Sequence, residues 1–188
     1  MIEKLKKQSI GKLFIMLWNV FRMTALKIRF RKKARISFIQ NLHPSTEIAV
    51  KNGVLTLAHS VFTRRNVSFR AEGGELFIGT SFFNQGCCVT CMKKIEIGCD
   101  CLFGPNVVIV DHDHDYSFLD NQRGNHYLTN DIRIGNNVWV GANVTILRGS
   151  VIGDNCVIGA GCVVKGVVEP DTVLISKQNQ TCKKICKK

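Results

Sequence analysis

The sequence predicts an all-β solenoid of about six triangular coils, and a six-residue repeat is the main observation behind this prediction. An Ile or Val recurs at every sixth position of one stretch, at Ile134, Val140, Ile146, Ile152, Ile158 and Val164. A period of six matches neither the 3.6-residue helical period nor the two-residue strand period. It matches a coil with three flat sides of six residues each, in which the aliphatic residues stack inward from coil to coil.

Two other positions of the repeat support the same fold. Gly follows the aliphatic residue at Gly135, Gly141, Gly153 and Gly159, where we expect it to take a corner conformation that a Cβ would resist. The fifth position is small or β-branched, at Val138, Val144, Ser150, Cys156 and Cys162. The fifth position is therefore predicted to add a second inward column beside the aliphatic one.

The repeat divides the chain of 188 residues into segments. Residues 1–35 are predicted to form a basic helical segment, and residues 36–175 the solenoid domain. The six-residue frame breaks over residues 110–133, which are polar and contain three of the five His, so this stretch is predicted to project as a loop. Residues 176–188 are a polar, basic tail.

The net charge of +12 is concentrated at the two ends of the chain. No nucleic-acid-binding motif accompanies it, so no nucleic-acid partner is expected. Several of the nine cysteines are explained as thiols of a reducing compartment, which predicts a cytoplasmic protein. When the frame is continued upstream, four of them fall in the small fifth position and are predicted to stack in the core: Cys88, Cys101, Cys156 and Cys162.

The N-terminal segment has two interpretations. Apolar residues at helical spacing predict a helix, and Lys12, Arg22 and Lys27 interrupt the apolar run, so it is too charged and too short to span a bilayer. The helix either packs on the solenoid or a neighbouring subunit, or lies on an anionic membrane surface with Trp18 as an anchor. The second interpretation would make the protein peripheral at the inner membrane face.

The repeat resembles that of the hexapeptide-repeat acetyltransferases, in particular the maltose and galactoside O-acetyltransferases and the related enzymes that acetylate polysaccharides. Three local features carry the resemblance. Asn84 lies thirteen residues before Ile97, His114 lies seventeen after it, and residues 134–141 read IGNNVWVG. The resemblance implies a left-handed parallel β-helix, a homotrimer, and an active site between two subunits.

The same resemblance implies acetyl-CoA as co-substrate and a saccharide hydroxyl as acceptor. It makes His114 the general base and gives Asn84 a role at the acceptor. His suits this task because imidazole gains and loses a proton near neutral pH. Asp111, His112 and Asp113 are secondary candidates, because a carboxylate beside the base could fix its tautomer.

The remaining site candidates concern the thioester and the coenzyme. The amide of Ala142 is the candidate donor to the carbonyl oxygen of the acyl group. Trp139 is expected to point outward, where a coenzyme arm or a neighbouring subunit would cover it. Small residues would let the arm lie close to the coils, and one Lys could meet its phosphates: Gly141, Ala142, Gly159, Ala160 and Lys165.

Two other activities stay open on the sequence. One is N-acetylation of an amino sugar or antibiotic. The other is a zinc-dependent hydratase like the carbonic anhydrases of this fold, which take three His on the metal. The spacing of His112, His114 and His126 does not fit that ligand set, so no metal is expected.

Overall fold

A computed structural model describes residues 17–117 and 126–177. The first part of the predicted helical segment (residues 1–16), the middle of the predicted loop (118–125) and most of the predicted tail (178–188) lie outside the described residues.

The described chain consists of one helix, a short 3-10 turn and 21 strands. The helix α1 covers residues 17–30 and the 3-10 turn covers Arg31–Lys33. The strands are β1 Ala34–Ile36, β2 Glu47–Val50, β3 Val54–Leu57, β4 Phe62–Thr63, β5 Ser68–Ala71, β6 Glu75–Ile78, β7 Ser81–Phe83, β8 Cys88–Cys91, β9 Lys94–Ile97, β10 Cys101–Phe103, β11 Val108–Val110, β12 His112–His114, β13 Tyr127–Thr129, β14 Ile132–Ile134, β15 Trp139–Val140, β16 Thr145–Ile146, β17 Val151–Ile152, β18 Val157–Ile158, β19 Val163–Val164, β20 Val167–Val168 and β21 Val173–Leu174.

Three parallel sheets form the three sides of a prism. Sheet A has the order β1-β3-β6-β9-β14-β17-β20, sheet B the order β4-β7-β10-β15-β18-β21, and sheet C the order β2-β5-β8-β11-β16-β19. The chain passes from A to B to C in each turn, so the seven strands of sheet A correspond to about seven coils. The predicted parallel β-helix is confirmed, and its winding is consistent with the left-handed form. The coil beyond the expected six is the first one, where a single bridge between Asn41 and Phe62 stands in for the strand of sheet B.

The interior is a column of aliphatic and aromatic side chains. All six Ile and Val positions of the repeat are buried, and so are the five residues of its fifth position. In the middle coils Phe83 packs edge-on against Phe69, at 5.0 Å between ring centroids, and face to face on Phe103, at 4.4 Å. Inward stacking is therefore confirmed, and the three rings are among the largest fully buried side chains.

The prediction for the corner glycines is correct about the Cβ but wrong about the conformation. Gly135, Gly141, Gly153 and Gly159 do not have a positive φ. They are required because the next coil is too close, since a Cβ on Gly141 would lie 2.6 Å from the nitrogen of Ala160. Asn residues supply the positive φ at several corners instead, at Asn106, Asn137, Asn143 and Asn155, because Asn tolerates the left-handed region and its side chain can bond locally.

These Asn side chains also bond from coil to coil. Asn137 Nδ2 donates to Asn155 Oδ1 at 2.9 Å, and Asn155 Nδ2 donates to Asp171 Oδ1 at 2.8 Å. The corner residues therefore contribute to the registration of successive coils, in addition to making the turn.

The cysteine prediction is correct for three residues and wrong for the fourth. Cys101, Cys156 and Cys162 are buried free thiols, whereas Cys88 is half-buried on the outer side of sheet C. Cys87 takes the inward position instead, because Phe83 follows Ile78 by five residues and not six, so one residue is missing from the frame in this coil. Burial raises the pKa of the Cys87 thiol to about 11, so it stays protonated at neutral pH.

Helix α1 packs on the first coils. Met23 is fully buried, and Leu26 and Phe30 pack against the core. The Arg22 guanidinium donates to the backbone carbonyls of His43 and Thr46. No helix in the described ranges is long and apolar enough to cross a membrane.

We predict that Phe83→Ala lowers the free energy of unfolding by about 3–5 kcal/mol, because it leaves a cavity between two aromatic rings. Phe77→Ala is the matched control, since Phe77 lies on the outer side of sheet A and is 39% exposed; its loss should be about 1 kcal/mol. Urea unfolding followed by circular dichroism measures both. Equal losses for the two variants would contradict the stacked core.

Candidate active site

The predicted loop leaves the prism at the corner between sheets C and A, after β11. Its base is an antiparallel hairpin in which β12 pairs with β13, with His112 opposite Thr129 and His114 opposite Tyr127. The amide of Asn130 donates to the carbonyl of Asp111 at 3.0 Å and closes the hairpin where it leaves the coil. The predicted projection is therefore confirmed at its described base.

Asp111 anchors this hairpin to the coil below. Its carboxylate is fully buried and accepts three backbone N–H groups, from Met92 at 2.8 Å, Lys93 at 2.7 Å and Lys94 at 2.9 Å. It also contacts Nδ1 of His112 at 3.2 Å. Partly buried donors of this kind need an acceptor, so Asp111 supplies the bonding that a regular coil would have supplied at this corner.

The other two aspartates of the hairpin have different surroundings. Asp113 Oδ2 accepts a charge-assisted hydrogen bond from Nε of Arg148 at 2.6 Å, from the next coil. Asp115 accepts from the amide and the hydroxyl of Ser117, which hold the pKa of its exposed carboxyl below the ordinary value. Asp111 and Asp113 thus tie the hairpin to two different coils.

The two histidines of β12 surround one aromatic ring. The centroid of the Tyr127 ring lies 4.7 Å from that of His114 and 5.7 Å from that of His112. His112 is half-buried and bonded to Asp111, whereas His114 is exposed. Among the described residues the His114 ring has no hydrogen-bond partner, and its side chain is exposed, so a substrate can reach it.

A second set of predicted site residues lies at the corner between sheets B and C. Asn84 follows β7, Gly141 and Ala142 follow β15, and Gly159 and Ala160 follow β18. The Asn84 side chain accepts the amide of Gln85 at 2.8 Å. The amide of Ala142 donates to no acceptor in the part of the chain that the structure describes, although its carbonyl accepts from Gly161 at 2.9 Å. This turn therefore offers a backbone donor.

Trp139 lies on the outer side of sheet B and is 57% exposed, as the sequence predicts. It pairs with Leu102 on one neighbouring strand and Val157 on the other. The same outward column contains only apolar residues along the whole sheet: Phe62, Phe82, Leu102, Trp139, Val157 and Val173. A continuous outward column of this kind is typical of a contact surface.

The two sets of candidates lie on opposite sides of sheet C. Asp111, His112, Asp113 and His114 belong to the C–A corner, and Lys165, which is exposed, follows β19 at the same corner. The four-residue strand β8 that separates the corners spans about 13 Å. No hydrogen bond or ring contact joins the two sets within the described ranges, so a single chain does not bring His114 and Asn84 together there.

The described residues include no group of three His, Cys, Asp or Glu that could hold a metal ion. Both His112 and His114 contact the ring of Tyr127, but they do not form part of such a group.

The stacked coils have the parallel β-helix architecture that six-residue repeats form. Residues 131–166 match the family model "Bacterial transferase hexapeptide (six repeats)", so the resemblance seen in the sequence is confirmed. No curated protein matches the chain in sequence.

Several solved structures are similar to this chain. A maltose O-acetyltransferase from Clostridium difficile 630 is 28% identical, with 76% of this chain and 61% of that chain covered and a TM-score of 0.43. The chain thus spans about three fifths of that enzyme's length. AntD, an N-acyltransferase from Bacillus cereus solved with a dTDP-amino sugar and coenzyme A, has a TM-score of 0.57 at 15% identity, with 86% and 89% covered.

A third similar structure is NeuO, a polySia-specific acetyltransferase, with a TM-score of 0.52 at 22% identity and 77% and 72% of the two chains covered. At these levels of identity, AntD and NeuO establish the shared fold.

Sequence reasoning did not single out Arg148 and Tyr127. Arg148 is 35 residues from Asp113, so no local pattern joins them. A signal for Arg148 exists in the repeat itself, because it places a long charged side chain two residues after the inward Ile146. The only sequence signal at Tyr127 is the general preference of aromatic residues for strands.

We predict that Asp111→Asn lowers the free energy of unfolding by about 2 kcal/mol, because an amide offers one oxygen to three partly buried N–H groups. Asp113→Asn is the control, since its ion pair is partly exposed and should be worth less than about 1 kcal/mol. Hydrogen exchange at the amides of residues 92–94 should accelerate only in Asp111→Asn. Equal protection of these amides in both variants would disprove the anchoring role.

Proposed function

We propose that the protein is an acetyl-CoA-dependent O-acetyltransferase that transfers an acetyl group to a hydroxyl of a sugar or surface-polysaccharide precursor. The observation that carries the proposal is the hairpin, which presents the exposed imidazole of His114. Contacts of Asp111 and Asp113 attach the hairpin to two different coils. The repeat class and the outward-facing small corner at Gly141 and Ala142 support it. The maltose and galactoside enzymes provide the analogy for the acceptor.

In the proposed mechanism His114 is the general base. It accepts the proton of the acceptor hydroxyl while that oxygen attacks the carbonyl carbon of the acetyl thioester. The C–S bond breaks, and the imidazolium returns the proton to the sulfur of the departing coenzyme A. Tyr127 packs on the imidazole and restricts its orientation, so its role is positioning.

The carbonyl oxygen gains negative charge as the hydroxyl attacks, and the amide of Ala142 is the proposed donor to it. Asn84 is proposed to hold the acceptor. The coenzyme arm would lie along the B–C corner, where Gly141, Gly159 and Ala160 have no long side chains, and Trp139 would cover it. Lys165 lies at the C–A corner with His114, so it would meet a coenzyme phosphate as a point charge from the neighbouring subunit.

We further propose a homotrimer with each site between two subunits. His114 lies at the C–A corner and Asn84 at the B–C corner, so the hairpin of one chain must reach the second corner of a neighbour. The apolar column on sheet B supplies a surface that association would bury. A closed ring of this kind makes all sites equivalent.

The acceptor is proposed to be polymeric or lipid-linked, and the reaction cytoplasmic. The basic N-terminal segment fits an anionic environment, and the seven cysteines of the described ranges are all free thiols, as in reducing compartments. N-acetylation of an amino sugar uses the same base and the same donor. A panel of hydroxyl and amino acceptors with a free-thiol readout distinguishes the two.

We predict that His114→Ala lowers kcat for acetyl transfer by about 10²–10⁴-fold, while binding of coenzyme A, measured by calorimetry, stays unchanged. His112→Ala is the matched control, because it lies two residues away and touches the same Tyr127 ring. It should retain turnover within about tenfold, since its ring is bonded to Asp111 and not presented outward.

Unchanged turnover in His114→Ala, or an equal loss in both variants, would contradict the assignment of His114 as base. Stoichiometric zinc in the purified protein would instead favour the hydratase activity. Transfer to amines but not to hydroxyls would replace the O-acetyl proposal with the N-acetyl one.

A further inference from the structure

Helix α1 is apolar on two opposite faces. One face packs on the first coils through Met23, Leu26 and Phe30. The opposite face exposes Phe21 to 67% and Ile28 to 72%, and it continues through Leu17 and Trp18, which are 58% and 46% exposed. An apolar helix face is normally covered, so the second apolar face of this helix is expected to have its own contact.

The apolar face is bordered by cations. Residues 17–46 contain seven Lys and Arg and no Asp or Glu. Arg22 is engaged with backbone carbonyls of the first coil, but the end of the helix leads into a groove of about 620 Å³ lined by five cationic residues, Arg29, Arg31, Lys32, Lys33 and Lys51. Lys27 lies over the exposed ring of Phe38, at 3.3 Å from its centroid.

From this combination we infer that helix α1 and the adjoining basic groove dock on an anionic membrane surface. The helix would lie in the interface plane with Trp18, Phe21 and Ile28 among the acyl chains, to a depth of about 5–10 Å. Arg29, Lys32 and Lys33 would contact lipid phosphates. The inference locates the peripheral contact and does not depend on the chemistry proposed for the hairpin.

Two other occupants fit this surface less well. A second copy of the chain, bound face to face, would bring the same cations together across a two-fold axis, and like charges oppose such a contact. A nucleic acid would satisfy the cations but leave Phe21 and Ile28 in water, because backbone recognition uses charge and not exposed aliphatic groups. Only a lipid surface offers both phosphates and an apolar layer.

The test uses the full-length protein in a vesicle flotation assay. Binding to phosphatidylcholine vesicles with about 30% phosphatidylglycerol should exceed binding to pure phosphatidylcholine by about tenfold or more. Trp18 should report the insertion as a blue shift in tryptophan emission that is absent in Trp18→Phe. Equal binding to both vesicle types, or none to either, would overturn the inference.

Matched variants separate the specific surface from net charge. Lys32→Glu/Lys33→Glu should weaken vesicle binding by about tenfold or more. Arg64→Glu/Arg65→Glu makes the same change of net charge at exposed positions of the second coil and should change binding by less than about twofold. Equal weakening by the two double variants would show that only net charge matters, and the inference would fail.

The apolar contribution has its own pair. Phe21→Ser/Ile28→Ser should lower binding by about tenfold, whereas Val167→Ser, which alters a 66% exposed side chain on sheet A, should leave it unchanged. Retained binding in Phe21→Ser/Ile28→Ser, or binding to double-stranded DNA without binding to vesicles, would contradict membrane docking. Turnover of Lys32→Glu/Lys33→Glu with a soluble acceptor should equal that of the unaltered chain, so the enzymatic proposal is judged separately.

Discussion

The close approach of successive coils determines most of this structure. Hydrogen-bonded strands lie about 4.8 Å apart, so each corner must be small or must turn sharply. A Cβ at Gly98 would lie 2.5 Å from the carbonyl oxygen of Gly135 in the next coil, and one at Gly153 would lie 2.5 Å from the nitrogen of Pro170. The prism has no room for an inserted segment inside the stack, so any long insertion has to leave at a corner.

The hairpin leaves the stack at a corner because of that constraint. Asp111 then supplies the hydrogen-bond acceptors that the stack loses where the hairpin leaves it. When the chain leaves the stack, the backbone N–H groups of residues 92–94 lose the coil that would have bonded them. The Asp111 carboxylate replaces it with three acceptor contacts, and the pair of Asp113 with Arg148 fixes the hairpin to the coil on the other side. His114 therefore lies on a hairpin whose root is attached to two coils.

The sequence predicts regular features well, because each of them repeats. The period of six identifies the three sides, and the inward residues at positions such as Ile134 and Ile146 are all buried. Prediction from the sequence fails where the conformation or position of a residue depends on two coils at once. The glycines serve close approach and not a positive φ, and Asn137 and Asn155 make the turns. The prediction placed Cys88 in the core because one residue is missing from the frame between Ile78 and Phe83, which shifts the inward position to Cys87.

In the candidate site too, the sequence predicts the features that depend on spacing but not the contacts between coils. The identities of His114, Asn84 and Trp139 follow from spacing and resemblance, and the outward position of Trp139 follows from the repeat. The bond of Arg148 to Asp113 and the contact of Tyr127 with His114 could not be predicted, since they depend on how the hairpin lies against its neighbours. The distribution of the candidates over two corners likewise becomes visible only when the coils are assembled.

In the proposed trimer, the imidazole of His114 at one corner and the side-chain amide of Asn84 at another meet only between two chains. Mixing two inactive variants, His114→Ala and Asn84→Ala, tests it most directly. In a trimer refolded from equal amounts of the two, about one site in four would pair an intact His114 with an intact Asn84 of the neighbour. The account predicts that acetyl transfer recovers to about a quarter of the unaltered activity. Activity that stays at the level of the separate variants would contradict it.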